Sequence, residues 1–92
     1  MYKITPRQKI NASVLGVVIK PSTNKSKKID VFNKAGQKIA EIGAAGYMDF
    51  EMYIKSKGLE YAKERRRLYK IRHKNNRKKI GTAGFFADRI LW

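Results

Sequence analysis

Cysteine is absent from this 92-residue chain, and histidine occurs once, at His73. Neither a disulfide framework nor a Cys/His zinc site can therefore support the fold. Without those aids a chain of this size, which buries only about two-thirds of its unfolded surface, must rely on an apolar core, on a partner, or on both. No apolar run approaches the roughly 18 residues that a membrane-spanning helix requires. The run from Val14 to Ile19, behind a basic N-terminus, is too short for the core of a signal peptide.

Acidic residues are also scarce, and this limits catalysis as much as the missing thiol does. Asp49 and Glu51, at i and i+2 of an expected helix, diverge. The stretch Gly43–Gly46 has neither the spacing nor the lysine of a phosphate loop. His73 stands among cations, a setting for a polyanion contact or a surface residue and not for a general base. The expectation is a chain that is not an enzyme and that uses neither cofactor nor metal.

What the chain has is positive charge. Twenty-two Lys and Arg face seven Asp and Glu, a formal net charge of +15. Such a chain repels itself and condenses on polyanions, while a hydrophobic fraction of 42% is too high for a disordered basic tail. The charge is uneven. Residues 1–54 carry nine basic and four acidic groups, residues 55–80 twelve and two, and residues 81–92 one of each. Two-thirds of the excess thus falls in 26 residues, with apolar material on both sides.

The first half reads as strands after a basic N-terminal arm over residues 1–13, with a single small domain expected over residues 14–92. Val14 to Ile19 is β-rich and stops at Pro21, Ile29–Phe32 is a second strand, and Gln37–Ile42 returns as a third. Between the last two, Asn33-Lys34-Ala35-Gly36 suits a type I turn with Gly36 left-handed. Tyr47, Phe50 and Ile54 then mark one stripe of a short helix ending at Gly58, and a basic helix is predicted from about Leu59 to Asn75. Thr82 is placed to cap a last apolar segment, Ala83 to Trp92. The fold class is α+β: a three-stranded antiparallel meander, a short helix, a basic helix and an apolar C-terminal segment.

At about 100° per residue, Lys63, Arg66, Arg67, Lys70 and Lys74 fall in one arc of the basic helix, with His73 at its edge. Like charges at i and i+4 repel mildly, a cost that a bound polyanion relieves. Arg77, Lys78 and Lys79 extend the candidate surface. Tyr61, Leu68 and Ile71 lie roughly opposite and are expected to face the core. Arg65 and Arg72, beside that apolar stripe, read as structural pairing partners. Lys25, Lys27 and Lys28 form a possible second contact on the loop between the first two strands. The tyrosines at 47, 53, 61 and 69 alternate with charge, as base-stacking platforms do, but their helical spacing reads better as core. Phe85, Phe86, Ile90, Leu91 and Trp92 read as an apolar anchor for a partner.

Three stretches carry a family resemblance: Ile42-Gly43-Ala44-Ala45-Gly46-Tyr47-Met48-Asp49-Phe50, Leu68-Tyr69-Lys70-Ile71-Arg72-His73-Lys74, and Gly81-Thr82-Ala83-Gly84-Phe85-Phe86 running to Leu91-Trp92. In that order, behind a Lys-rich loop and a hairpin, they resemble a family of small basic proteins encoded by large double-stranded DNA viruses. The resemblance covers roughly Val18 to Trp92 and implies a viral origin without implying an activity. The chain departs from the family pattern in extra residues around Met52 to Gly58 and in stopping at Trp92, so no functional site is carried across. Charge and resemblance together lead to a virion structural protein, a small minor capsid or cement protein in a larger assembly, docking on an acidic surface such as the major capsid protein. The alternative is sequence-independent binding and compaction of the viral genome, DNA more readily than RNA. The expected location is the virion, and the host cytoplasm or nucleus during assembly.

Overall fold

The structure is a computed structural model and describes residues 2–92. Its elements run α1 (Pro6–Val14), β1 (Val18–Pro21), β2 (Lys27–Phe32), β3 (Lys38–Ala44), α2 (Phe50–Lys57), α3 (Leu59–Arg72), a 3-10 turn (Asn76–Lys78) and α4 (Ala83–Ile90). The three strands form one antiparallel sheet in the order β1-β2-β3, the α+β meander expected from the strand spacing.

The basic N-terminal arm is corrected to a helix. Thr5 and Gln8 form a reciprocal capping box, with Pro6 opening the first turn. The Gln8 carboxamide accepts from the Thr5 N–H at 2.9 Å. Gln8 and Ala12 are buried, and α1 packs against α4 and β1. The proposed boundary at residue 14 therefore falls inside α1, whose small face closes one side of the core. The expected first strand is divided for the same reason. Gly16 adopts φ 75°, a left-handed conformation that ends the helix, so Val14 is helical and β1 begins only at Val18.

The β2–β3 hairpin follows the expected turn. Gly36 has φ 85°, Asn33 N–H donates to the Gln37 carbonyl at 2.9 Å, and a bulge lies between Val31 and Phe32. Register pairs Ile29 with Ile42 and Val31 with Ala40. Strand alternation then puts Ile29 and Val31 on the face that meets α4 and Ala12.

The C-terminal segment is the principal correction to the functional reading. Phe85, Phe86, Ile90 and Leu91 are buried with Ile29, Val31 and Ile42, and Trp92 packs against that cluster. They form the domain's own core and not an anchor for a partner. A chain this small has few other residues with which to fill the space between helix and sheet. Thr82 caps α4 as predicted, accepting from the Phe85 N–H at 3.3 Å.

Gly58, at φ 91°, ends α2 and opens α3, making an αα-hairpin. α3 ends at Arg72, three residues before the expected stop. Its rotation also differs from the prediction, because Ala62 and Tyr69 are the residues buried, while Tyr61, Leu68 and Ile71 are 46%, 39% and 59% exposed. The inward face is shifted by one residue, about 100°, from the most apolar stripe. The aromatic contacts of Tyr69 and the packing of Arg66 on Phe50 hold it there.

Candidate docking surface

Each of the seven carboxylates lies within 4.0 Å of a cation of the same chain. Asp30 and Glu41 meet Lys38, Asp49 meets Lys28, Glu51 meets Arg7, Glu60 meets Lys63, Glu64 meets Arg67, and Asp88 meets Lys70, Arg77 and Arg89. Eight of the 22 cations are used in this way, which leaves fourteen without a carboxylate partner among the described residues.

Three of these acids are interior. Asp49 caps α2, accepting from the Met52 N–H at 3.0 Å, from the Tyr2 hydroxyl at 2.6 Å and from the Lys28 ammonium at 3.1 Å. Burial, and then the hydrogen bond to Asp49, pushes the Tyr2 phenol well above its ordinary range. Asp30 accepts from Ser22 Oγ at 2.6 Å and from the Thr23 N–H at 3.3 Å. Burial alone would raise its carboxyl, but these bonds and Lys38 outweigh it and hold the group below its ordinary value. Asp88 takes Lys70 and Arg89 at 2.9 Å each.

This pairing breaks up the arc predicted on α3. Lys63 and Arg67 are drawn to Glu60 and Glu64 one turn earlier, and Lys70 turns inward to Asp88. Arg66 lies over the Phe50 ring at 4.3 Å, and His73 packs on Tyr69 with ring centroids 4.4 Å apart. Arg77 also turns in, donating to the Lys70 carbonyl at 3.3 Å. Of the nine residues in the candidate polyanion surface, Lys74, Lys78 and Lys79 are exposed and have no carboxylate partner among the described residues. Arg72, read as a structural pair, joins them in the open. The second contact divides similarly. Lys25 is exposed on its loop, and Lys27 lines a shallow groove of about 400 Å³ with His73 and Lys79. Lys28 is only 4% exposed and serves as the interior partner of Asp49, not as a contact.

A larger groove, of about 820 Å³, runs between α3 and the segment that follows β3. Tyr69, Trp92, Leu91 and Ala87 line it from the core side. Leu68, Ile71, Arg65 and Arg72 contribute from α3, and Tyr47 and Met48 from the opposite segment. Tyr69 is buried, as its helical spacing implied, but Tyr47 is 75% exposed. Inside the groove, faces of Tyr69 and Tyr53 are already occupied. Tyr69 stacks on Trp92 at 4.5 Å and 11° and meets His73 at 4.4 Å, and Arg65 lies over Tyr53 at 5.4 Å. Arg65 thus stacks on an aromatic ring and does not make the expected ion pair. The groove escaped the sequence reading because Leu68 and Ile71 look like core residues. Their one available signal was that a one-residue shift of the stripe brings Ala62 and Tyr69 inward in place of Tyr61 and Leu68.

No helix among the described residues is long and apolar enough to cross a membrane. No group of three His, Asp or Glu side chains among them converges as a metal ion would need. No family model, curated protein or solved structure matches the chain.

Proposed function

We propose that the chain is a non-enzymatic structural protein of a virus particle, a small minor capsid or cement protein that docks on an acidic protein surface such as the major capsid protein. The observation that carries this reading is the groove-lining face of α3, where exposed Leu68 and Ile71 lie between half-buried Arg65 and exposed Arg72, neither of which has a carboxylate partner among the described residues. An acidic protein surface satisfies both halves of that pattern. Its carboxylates meet the arginines, and its apolar atoms cover the aliphatic side chains, at about 25 cal/mol per Å² removed from water. A phosphate backbone uses the cations but leaves the aliphatic stripe wet. The viral setting comes from the sequence resemblance, and with it a location in the virion and, during assembly, in the host cytoplasm or nucleus. A non-catalytic role is supported by the engagement of every carboxylate with a cation and by the stacking of the single histidine on Tyr69.

One observation favours a second reading, sequence-independent DNA binding. Arg72, Lys74, Lys78 and Lys79 stand exposed within eight residues at the end of α3. Contact with about four phosphates would give a log–log salt slope of roughly −3 to −4 on duplex DNA.

Fractionation of opened particles tests the choice. Shell and genome are separated on a gradient after nuclease treatment, and the protein is quantified in each by mass spectrometry. Retention on the shell is expected. Co-migration with DNA that nuclease or high salt abolishes would replace the structural role with genome binding.

A further inference from the structure

We infer that the groove between α3 and Tyr47 seats an acidic amphipathic segment of a partner protein, an aliphatic side chain entering between two carboxylates. The inference rests on the proposed protein-docking role and names the chemistry of what docks.

The charge of the groove selects the occupant. Its lining contains no acidic side chain, and its cations are Lys28, Arg65 and Arg72. Lys28 is neutralised from within by Asp49 at 3.1 Å, and Arg65 and Arg72 have no such partner among the described residues. A second copy of this chain, itself at +15, would bring like charge to like charge.

The spacing sets the shape of the occupant. Arg65, Leu68 and Arg72 fall at i, i+3 and i+7 of α3, on one face, so the two guanidinium-bearing positions are about 10 Å apart along the axis with a leucine between them. The complement is a segment with carboxylates two helical turns apart and an aliphatic residue between. Ile71, at 59% exposure, and Tyr47, at 75%, widen the apolar contact on either side.

The inner rings argue against a nucleobase. Stacking a base needs a free aromatic face. Trp92 and His73 cover Tyr69, and Arg65 covers a face of Tyr53. Tyr47, at 75% exposure, is the open ring left to a base, whereas aliphatic groups also find the exposed leucine and isoleucine.

Trp92 is the single tryptophan and lines the groove, so its emission reports occupancy directly. The full chain is titrated with three probes: a peptide of repeated Glu-Ala-Ala-Ala-Leu-Ala-Ala-Glu pattern, polyglutamate, and a single-stranded thymidine oligonucleotide. The expected result is a saturable shift in Trp92 emission with the amphipathic peptide, at least tenfold tighter than with polyglutamate. Leu68→Ser and, separately, Arg72→Glu alter exposed positions, and each should weaken the peptide about tenfold with the far-UV dichroism unchanged. Equal affinity for polyglutamate would overturn the inference in favour of charge alone, and tighter binding of the oligonucleotide would overturn it in favour of a nucleic-acid seat. The same variants on particles separate the two proposals. Shell association that survives both substitutions defeats the groove and leaves the docking role standing. Peptide binding by a protein that fractionates with DNA defeats the docking role and leaves the groove standing.

Discussion

Replacing Asp49 by Asn should destabilise the fold more than any surface charge change, because it isolates a buried ammonium. Lys28 is 4% exposed and Asp49 is 1% exposed, with Nζ 3.1 Å from Oδ2. A carboxamide keeps the shape of the side chain and can still accept from the Met52 N–H. It removes the negative charge, however, and where its NH2 group replaces Oδ2 the ammonium meets another donor. Removing one partner of a buried ion pair costs about 3–5 kcal/mol. A 92-residue domain has a total stability of about 5–14 kcal/mol, so the loss is a large share of the whole. At about 4–8 °C per kcal/mol, Tm should fall by at least about 12 °C. Urea unfolding followed by Trp92 emission measures the change, with a lower midpoint and the same slope expected. The double variant Lys28→Met with Asp49→Asn removes the stranded charge and should be less damaged than the sum of its singles by about 2 kcal/mol or more. A loss under about 1 kcal/mol for Asp49→Asn alone, or strict additivity in the double variant, would refute the coupling.

Three further outcomes follow from the interior. The Asp30 carboxyl sits below its ordinary value of 3.8, so the unfolded chain takes up that proton first as pH falls. The stability it contributes is whole above about pH 4 and is lost as pH drops through the folded value, and Asp30→Asn should flatten that acid limb of a Tm–pH profile. Tyr2 behaves in the opposite sense. Its phenol is raised above the ordinary 10.0, so its contribution is whole below about pH 10 and declines as pH climbs further; Tyr2→Phe should remove that alkaline loss, and an unchanged alkaline limb would count against the Tyr2–Asp49 bond. Gly43 has φ 78°, and a Cβ there would lie 2.8 Å from Leu91 Cδ1 and 3.0 Å from Lys28 Cδ, so Gly43→Ala should cost about 1–3 kcal/mol in thermal melts, whereas Gly46→Ala, with open space around it, should cost less.

Pairing offsets only part of the self-repulsion of the 22 cations, since +15 is what remains after the acids are counted. Of the seven acids, three are buried and satisfied by several donors each. Buried pairs of this kind add little net stability against an apolar replacement. Their consequence here is geometric, since Asp88 draws Lys70 and Arg77 inward and so decides which cations remain outside.

The sequence by itself determined the elements whose causes are local. Gly36 set the hairpin turn, Gly58 the break between α2 and α3, and Thr82 the start of α4, because left-handed backbone and side-chain caps act within a few residues. The capping box at Thr5 and Gln8 is equally local, although the charge around it points to an arm. Total charge and its concentration in residues 55–80 were likewise legible, since they need only counting. Tertiary structure alone decided how α3 is rotated about its axis. Leu68 and Ile71 form the more hydrophobic stripe, yet Ala62 and Tyr69 are inside, because Tyr69 stacks on Trp92, 23 positions away in the chain. It also decided that the aromatic C-terminus is core and that three of the five cations of the basic arc pair with the protein's own acids. Helical periodicity states which residues share a face; what that face meets depends on contacts between distant segments, and those exist only once the chain has folded.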